Sequence, residues 1–178
     1  MLKSKFENLI KFIENKKILI ITHDLVDIDG LTSCFALKYF ISQFFSTKEV
    51  LIYFSGLSKN SSVYLERMIS KFPDFNFSYE KNINLLDFEV LLVLDTNTLN
   101  LVTLENDFNT PFIFIDHHTD LTEPNENNLN AYNIIMDDFS STAEIIFELY
   151  RLYNVELPLV VNWLLISGIL IDSGFFRH

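Results

Sequence analysis

The stretch that decides the reading is KILIITHDLVDIDG, residues 17–30. Its first half, Lys17 to Thr22, is a continuous apolar run of strand length, the pattern of a β-strand covered on both faces. Polar residues follow at once: His23, Asp24, Asp27 and Asp29. From Gly30 to Phe45 the chain then reads as a helix. A buried strand, an acidic and imidazole-bearing turn and a helix form one unit. Its polar residues lie where the strand ends.

The same grammar recurs along the chain. Residues 49–54 (EVLIYF), 89–94 (EVLLVL, ending at Asp95) and 111–115 (PFIFI, ending at Asp116) read as further strands. Residues 75–79 alternate weakly and predict a strand at a sheet edge, and residues 131–136 (AYNIIM) predict another. Helical spacing marks 4–15, 60–72 and 142–153, the last capped by Ser141 or Ser140 with Glu144 in its first turn. Pro158 opens a final helix that runs to about Ile171. Residues 119–130 read as a polar loop. Buried strands alternating with helices imply an α/β fold: a mostly parallel sheet of about five strands with helices on both faces. In such sheets the functional groups gather beyond the C-terminal strand ends.

Composition narrows the class. The 178 residues suffice for one domain with a full core. Eighteen Phe predict aromatic packing in that core, with Phe40, Phe44 and Phe45 placed in core or interface. The net charge of −11 opposes nucleic-acid binding by a bare surface, and no basic stripe offsets it. Bound cations in an acidic cluster would, so a nucleic-acid substrate stays open. The lone cysteine, Cys34, allows no intrachain disulfide and reads as a small buried helix residue in a reducing compartment. The N-terminal apolar residues are interrupted by Glu7, Asn8, Lys11 and Glu14, unlike a signal peptide. The apolar stretch 157–171 is too short to span a bilayer. These features predict a soluble, cytoplasmic protein.

Chemistry concentrates at four places: His23, Asp24, Asp27 and Asp29; Asp95; the triplet Asp116, His117 and His118; and Asp172. Carboxylates gathered at one sheet edge repel one another unless protonated or bridged by cations. Carboxylate with imidazole and no thiolate suits manganese, iron or another divalent ion better than structural zinc. Taken singly, each residue has a bland role as a turn, cap or loop residue. Asp172 fits that role poorly, because a carboxylate at a helix C-terminus opposes the helix dipole.

His23-x-x-x-Asp27-x-Asp29 after a strand, Asp95 after a strand, Asp116-His117-His118, SSTAEIIFEL (140–149) and Asp172 within GILIDSGFF resemble, in order, the motifs of the DHH phosphoesterase superfamily. The resemblance runs from about residue 17 to the end, with Gly30 where Ala is frequent and Val26 where Pro is common. It implies a metal-dependent hydrolase of phosphate esters, with residues 1–178 as the catalytic domain. His23 and Asp27 are expected to bind one divalent ion; Asp29, His117 and Asp172 a second; and Asp95 both. Asp116 is expected to orient His117, and His118 to face the substrate phosphate as donor or acid. Ser141 and Arg177 are candidate substrate contacts, and His178 receives no role. The implied cofactors are two divalent ions, Mn2+ first and Mg2+ or Co2+ next, activating a water for in-line displacement. The implied substrate is a nucleotide or short single-stranded oligonucleotide. Relatives carry a C-terminal substrate-binding domain that residues 1–178 do not show, so a further domain, a partner subunit or a second copy is expected to complete the site. The competing reading is a non-catalytic scaffold or nucleotide-binding module.

Overall fold

The protein was analysed as a computed structural model that describes residues 2–103, 110–119 and 127–175. Five strands form one sheet: β1 Lys17–Thr22, β2 Glu49–Ile52, β3 Val90–Leu94, β4 Phe112–Asp116 and β5 Ile134–Ile135. Their order is β2-β1-β3-β4-β5, and all four pairings are parallel. Five α-helices accompany them: α1 Leu2–Ile13, α2 Ile28–Phe44, α3 Lys59–Lys71, α4 Thr142–Leu152 and α5 Leu159–Asp172.

Strands β1, β3 and β4 are almost wholly buried, which explains their continuous apolar runs. On one face Ile18, Ile20, Leu92 and Leu94 meet the buried sides of all five α-helices. On the other, Leu19, Ile21, Leu91 and Val93 are covered by Leu85, Phe88, Leu99 and Val102, which lie in or beside two short 3-10 turns. Helical segments therefore lie on both faces, unequally. The aromatic core is present: Phe40 packs edge-on against Tyr150 and Tyr153, and the Tyr150 hydroxyl donates to Ala36 O at 2.8 Å. Helices α1 and α4 both stop at an Asn in the left-handed region, Asn15 and Asn154, which ends a helix at little steric cost. Cys34 is buried on α2, and burial pushes its thiol well above the usual range. Among the described residues no helix is long and apolar enough to cross a membrane.

Two strand expectations need correction. Residues 75–79 are not a strand. Phe75 and Phe77 instead turn their rings onto Tyr39 and Phe35 of α2, and Asn76 closes a turn by accepting from Ser78 N at 2.9 Å. The alternation there records aromatic packing, and the sheet contact shrinks to one bridge between Tyr53 and Glu80. The segment 131–136 yields only the two-residue β5, because Asn130–Tyr132 form a 3-10 turn first.

Strand order fixes where a site can form. From β1 the chain moves to one side to make β2, then crosses back to the other side to make β3. The loops after β1 and β3 part at this point, leaving a crevice at the C-terminal strand ends. His23 follows β1 and Asp95 follows β3.

Candidate metal centre

Asp27 and Asp29 reach the crevice through the start of α2. Asp27 is the N-cap, its Oδ1 accepting from Gly30 N at 3.0 Å. Asp29, in the first turn, is buried and grips a second helix. Its Oδ2 accepts from Thr142 N at 2.7 Å and its Oδ1 from Ala143 N at 2.9 Å. The start of α4 is thus held by a carboxylate from α2, where the helix dipole favours negative charge. Ser141 caps the same helix, accepting from Glu144 N at 3.1 Å, and Glu144 accepts from Ser140 N at 2.7 Å. Ser141 is fully buried and spent on the cap, so it has no surface to offer a ligand.

Asp95 is the meeting point. It is buried and left-handed, with φ of 57°. Holding a non-glycine residue there costs on the order of 1 kcal/mol, and such strain clusters at functional sites. Its Oδ1 accepts from Thr142 Oγ1 at 3.1 Å. His23 Nε2 stands 3.5 Å from Asp95 Oδ2 and 3.7 Å from Asp27 Oδ1. His117 Nε2 stands 3.7 Å from Asp95 Oδ1 and 3.2 Å from Asp172 Oδ2. Ligand atoms of His23, Asp27 and Asp95 lie within 4.8 Å of one another, as do those of Asp29, His117 and Asp172, and of Asp95, Asp116, His117 and His118. The structure thus gathers all six expected ligands at one strand edge.

Two glycines make room. A Cβ on Gly30 would stand 2.7 Å from Thr22 Oγ1 and 3.2 Å from Asp95 Oδ2. A Cβ on Gly168 would stand 2.6 Å from Thr32 Oγ1, 2.7 Å from Ala143 Cβ and 2.9 Å from Asp29 Oδ1. Gly168 lets α5 approach closely enough to bring in Asp172, one turn further along the helix.

Charge is the main strain. Five carboxylates, Asp27, Asp29, Asp95, Asp116 and Asp172, share this edge. Burial, then the charge of Asp95, hold Asp29 well above the usual carboxylate range. Burial raises Asp95 too, against the opposing hydrogen bond from His23. Asp172 is raised by burial, with His117 pulling the other way. For Asp27, burial is outweighed by the hydrogen bonds of His23 and Gly30, and its value is lowered. Asp27, then Asp95, raise His23 to about 10.

The donor set fits divalent cations. His117 Nε2 is buried with no hydrogen-bond partner, although Asp172 Oδ2 lies 3.2 Å and Asp95 Oδ1 3.7 Å away. Asp116 Oδ2 is also buried without a partner. His23 Nδ1 lies 2.8 Å from Asp24 O, which assigns the proton to Nδ1 and leaves the Nε2 lone pair, beside the carboxylates of Asp27 and Asp95, open to a cation when the ring is neutral. No thiolate joins the cluster.

Asp116 does more for His118 than for the His117 ring. Its Oδ1 accepts from His117 N at 2.9 Å and pairs with His118 Nδ1 at 2.8 Å. That pairing raises His118 to about 9, and the ring is half-exposed in a cleft of about 300 Å³. The cleft is also lined by His23, Asp27, Asp95 and Asp172 and by Thr96, Asn97, Thr98 and Leu101. Arg177 and His178 lie outside the described residues. Sequence reading placed Asp24 beside the expected ligands but gave it no role. Its carboxylate accepts from Ser55 Oγ and from Thr103 N and Oγ1. Sequence reading also missed Thr22 and the bond from Thr142 Oγ1 to Asp95, because a hydroxyl beneath an acidic cluster has no spacing signature.

The DHH family N-terminal domain matches residues 17–169. A protein of Methanocaldococcus jannaschii described as uncharacterized is 31% identical over 173 residues, 95% of this chain and 49% of that protein. The chain thus spans about half the length of the curated relative it matches. Among solved structures it is similar to an exopolyphosphatase-related protein from Bacteroides fragilis, with a TM-score of 0.64 and 20% identity over 99% of this chain and 52% of that one. It is also similar to a putative family II inorganic pyrophosphatase from Methanococcus jannaschii, with a TM-score of 0.62 and 18% identity over 89% of this chain and 49% of that one. At these identities the two structures speak for the fold, and the family match speaks for descent. The chain belongs to the DHH family, whose N-terminal domain it carries.

Proposed function

We propose that the chain is the metal-binding part of a divalent-metal-dependent phosphoesterase that hydrolyses nucleotide or short oligonucleotide phosphates. The observation that carries this reading is the pair of donor groups, His23–Asp27–Asp95 and Asp29–His117–Asp172, joined where Asp95 approaches His117. Each group would hold one ion, with Asp95 between them. Mn2+ is the ion we propose first for these oxygen and imidazole donors, with Mg2+ or Co2+ next. Ions bound here would supply Lewis acidity and a lowered pKa for water. They would also offset the crowding of five carboxylates.

The remaining side chains bind and orient. His118, cationic at neutral pH through its Asp116 partner, presents a donor to an anionic phosphate oxygen or a leaving group. Thr96, Asn97 and Thr98 give the cleft a polar wall. The acidic surface favours a small phosphate substrate over duplex nucleic acid. A second domain, partner subunit or second copy bearing cationic groups would complete the grip on the substrate.

The test is a Mn2+-dependent hydrolysis screen of nucleoside monophosphates, dinucleotides and pyrophosphate, run with the wild type and Asp95→Asn. Phosphate or nucleotide release by the wild type, reduced by about a thousandfold or more in the variant, is expected. Equal rates in both proteins would refute the assignment.

A further inference from the structure

We propose that Asp24 is a positioning residue that fixes one wall of the cleft, the segment from Thr96 to Thr103, and so sets how tightly a phosphate is held; this rests on the phosphoesterase reading. Asp24 follows the metal-site residue His23 but belongs to none of the three ligand clusters. Its groups are spent on two other loops. Asp24 N donates to Leu101 O at 2.7 Å. Its Oδ2 accepts from Thr103 N at 3.0 Å and from Thr103 Oγ1, and its Oδ1 accepts from Ser55 Oγ. The loop after β1 is tied again to the loop after β2, by Val26 N to Gly56 O at 3.0 Å and Ser58 N to Val26 O at 3.0 Å. One carboxylate therefore joins the loops that follow β1, β2 and β3.

The held segment forms part of the cleft. Thr96, Asn97, Thr98 and Leu101 line it. The near end of the wall is tied to the opposite loop, where Asn97 Nδ2 donates to His118 O at 3.1 Å. Asp24 secures the far end. Without its carboxylate, the hydrogen bond left among the described residues between that end and the loop after β1 is the main-chain one from Asp24 N to Leu101 O. The wall shares the cleft with His23, Asp27 and Asp172, so its looseness would weaken retention of a phosphate while leaving the ligand set in place.

The experiment compares the wild type with Asp24→Asn and Ser55→Ala. Three quantities are read: amide hydrogen exchange across residues 97–103, Mn2+ titration, and affinity of the Mn2+-loaded protein for inorganic phosphate. Hydrolysis of bis(p-nitrophenyl) phosphate is measured beside them. In Asp24→Asn, exchange of the Thr103 amide should rise about tenfold or more. Mn2+ stoichiometry should hold, and phosphate affinity should fall about five- to tenfold. KM should rise by a similar factor with kcat within about twofold. Ser55→Ala should move the same quantities less. Unchanged exchange, or faster exchange with unchanged phosphate affinity, overturns the proposal; so does loss of Mn2+, which would place Asp24 in the metal site. If the wild type binds phosphate but hydrolyses neither this diester nor any substrate of the screen above, the functional reading fails while exchange and affinity still decide the role of Asp24. A wild type that binds no phosphate overturns both.

Discussion

Gly168→Ala probes the contact on which half of the proposed metal centre depends. The added Cβ would meet Thr32 Oγ1 at 2.6 Å, Ala143 Cβ at 2.7 Å and Asp29 Oδ1 at 2.9 Å, where carbon atoms prefer about 3.5–4.0 Å. Thr32 can rotate, but Ala143 has no rotamer to give, and Asp29 is pinned by Thr142 N and Ala143 N. Helix α5 must therefore withdraw by roughly 1 Å. Overpacking of this kind costs about 1–3 kcal/mol, and the gain in helix propensity returns about 1. A net loss of about 1 kcal/mol lowers the melting temperature in EDTA by about 2–4 °C for a chain of this size. The larger effect falls on metal binding. Asp172 lies one turn beyond Gly168 on the same helix face, so its carboxylate retreats from His117 as α5 moves. Perturbing the support of a ligand costs about 10–100-fold in affinity. Calorimetric titration with Mn2+ should show one of two sites weakened by that factor, with the His23–Asp27–Asp95 site unchanged. Two wild-type sites, together with a higher melting temperature, would refute the reasoning, because they would mean that α5 absorbs the methyl without moving.

Metal uptake should expel protons, because His23 in the metal-free chain is raised to about 10 and must lose its proton to ligate. Mn2+ affinity should climb by about tenfold per pH unit between pH 6 and 8 for one expelled proton, read by titration in buffers of different ionisation enthalpy, and a flat profile would contradict the assigned geometry. Stability of the metal-free chain should run the other way. Asp29, Asp95 and Asp172 are raised in the fold, so their favourable contribution is complete below their ordinary value of 3.8 and is lost as pH rises through the raised values. The contribution of His23, likewise raised, is complete below 6.5 and is lost towards about 10. Asp27 and Asp24 are lowered, and theirs is lost only as pH falls below 3.8. Melting temperature in EDTA should therefore fall from mildly acidic to neutral pH, and a rise would refute the electrostatic account. Asp95→Asn should bind Mn2+ poorly yet melt higher than the wild type in EDTA at neutral pH, by on the order of 1 kcal/mol, because a buried charge among like charges is gone.

Much of this was legible in the sequence, for identifiable reasons. Strands β1, β3 and β4 announce themselves because burial on both faces demands unbroken apolar runs. Five of the six expected ligands follow such runs, and parallel strands bring those positions to one edge; Asp172 instead ends α5, which Gly168 lets approach. Residues 75–79 misled because Phe75 and Phe77 satisfy a period of two while packing on a helix. The bonds of Asp24 and of the Thr142 hydroxyl were overlooked for a different reason. Their partners, Thr103 and Asp95, lie 79 and 47 positions away, and no local pattern encodes a hydrogen bond of that span. The pairing of Asp116 with the His118 ring rather than the His117 ring was likewise a matter of loop geometry.

Asp29 shows why the site cannot be separated from the fold. Its carboxylate satisfies two main-chain donors at the start of α4, so the fold requires an acceptor there. The same carboxylate sits with His117 and Asp172 in a donor cluster, so ion binding requires a charge there. Neutral Asp29 would serve the helix weakly and the ion not at all. Charged Asp29 serves both, but only if cations offset Asp95 and Asp172. On the proposed metal assignment, ion binding and the docking of α2, α4 and α5 are therefore linked equilibria. Occupancy of the centre should tighten the packing of these three helices, and any change that loosens their packing should be read first as weaker ion binding.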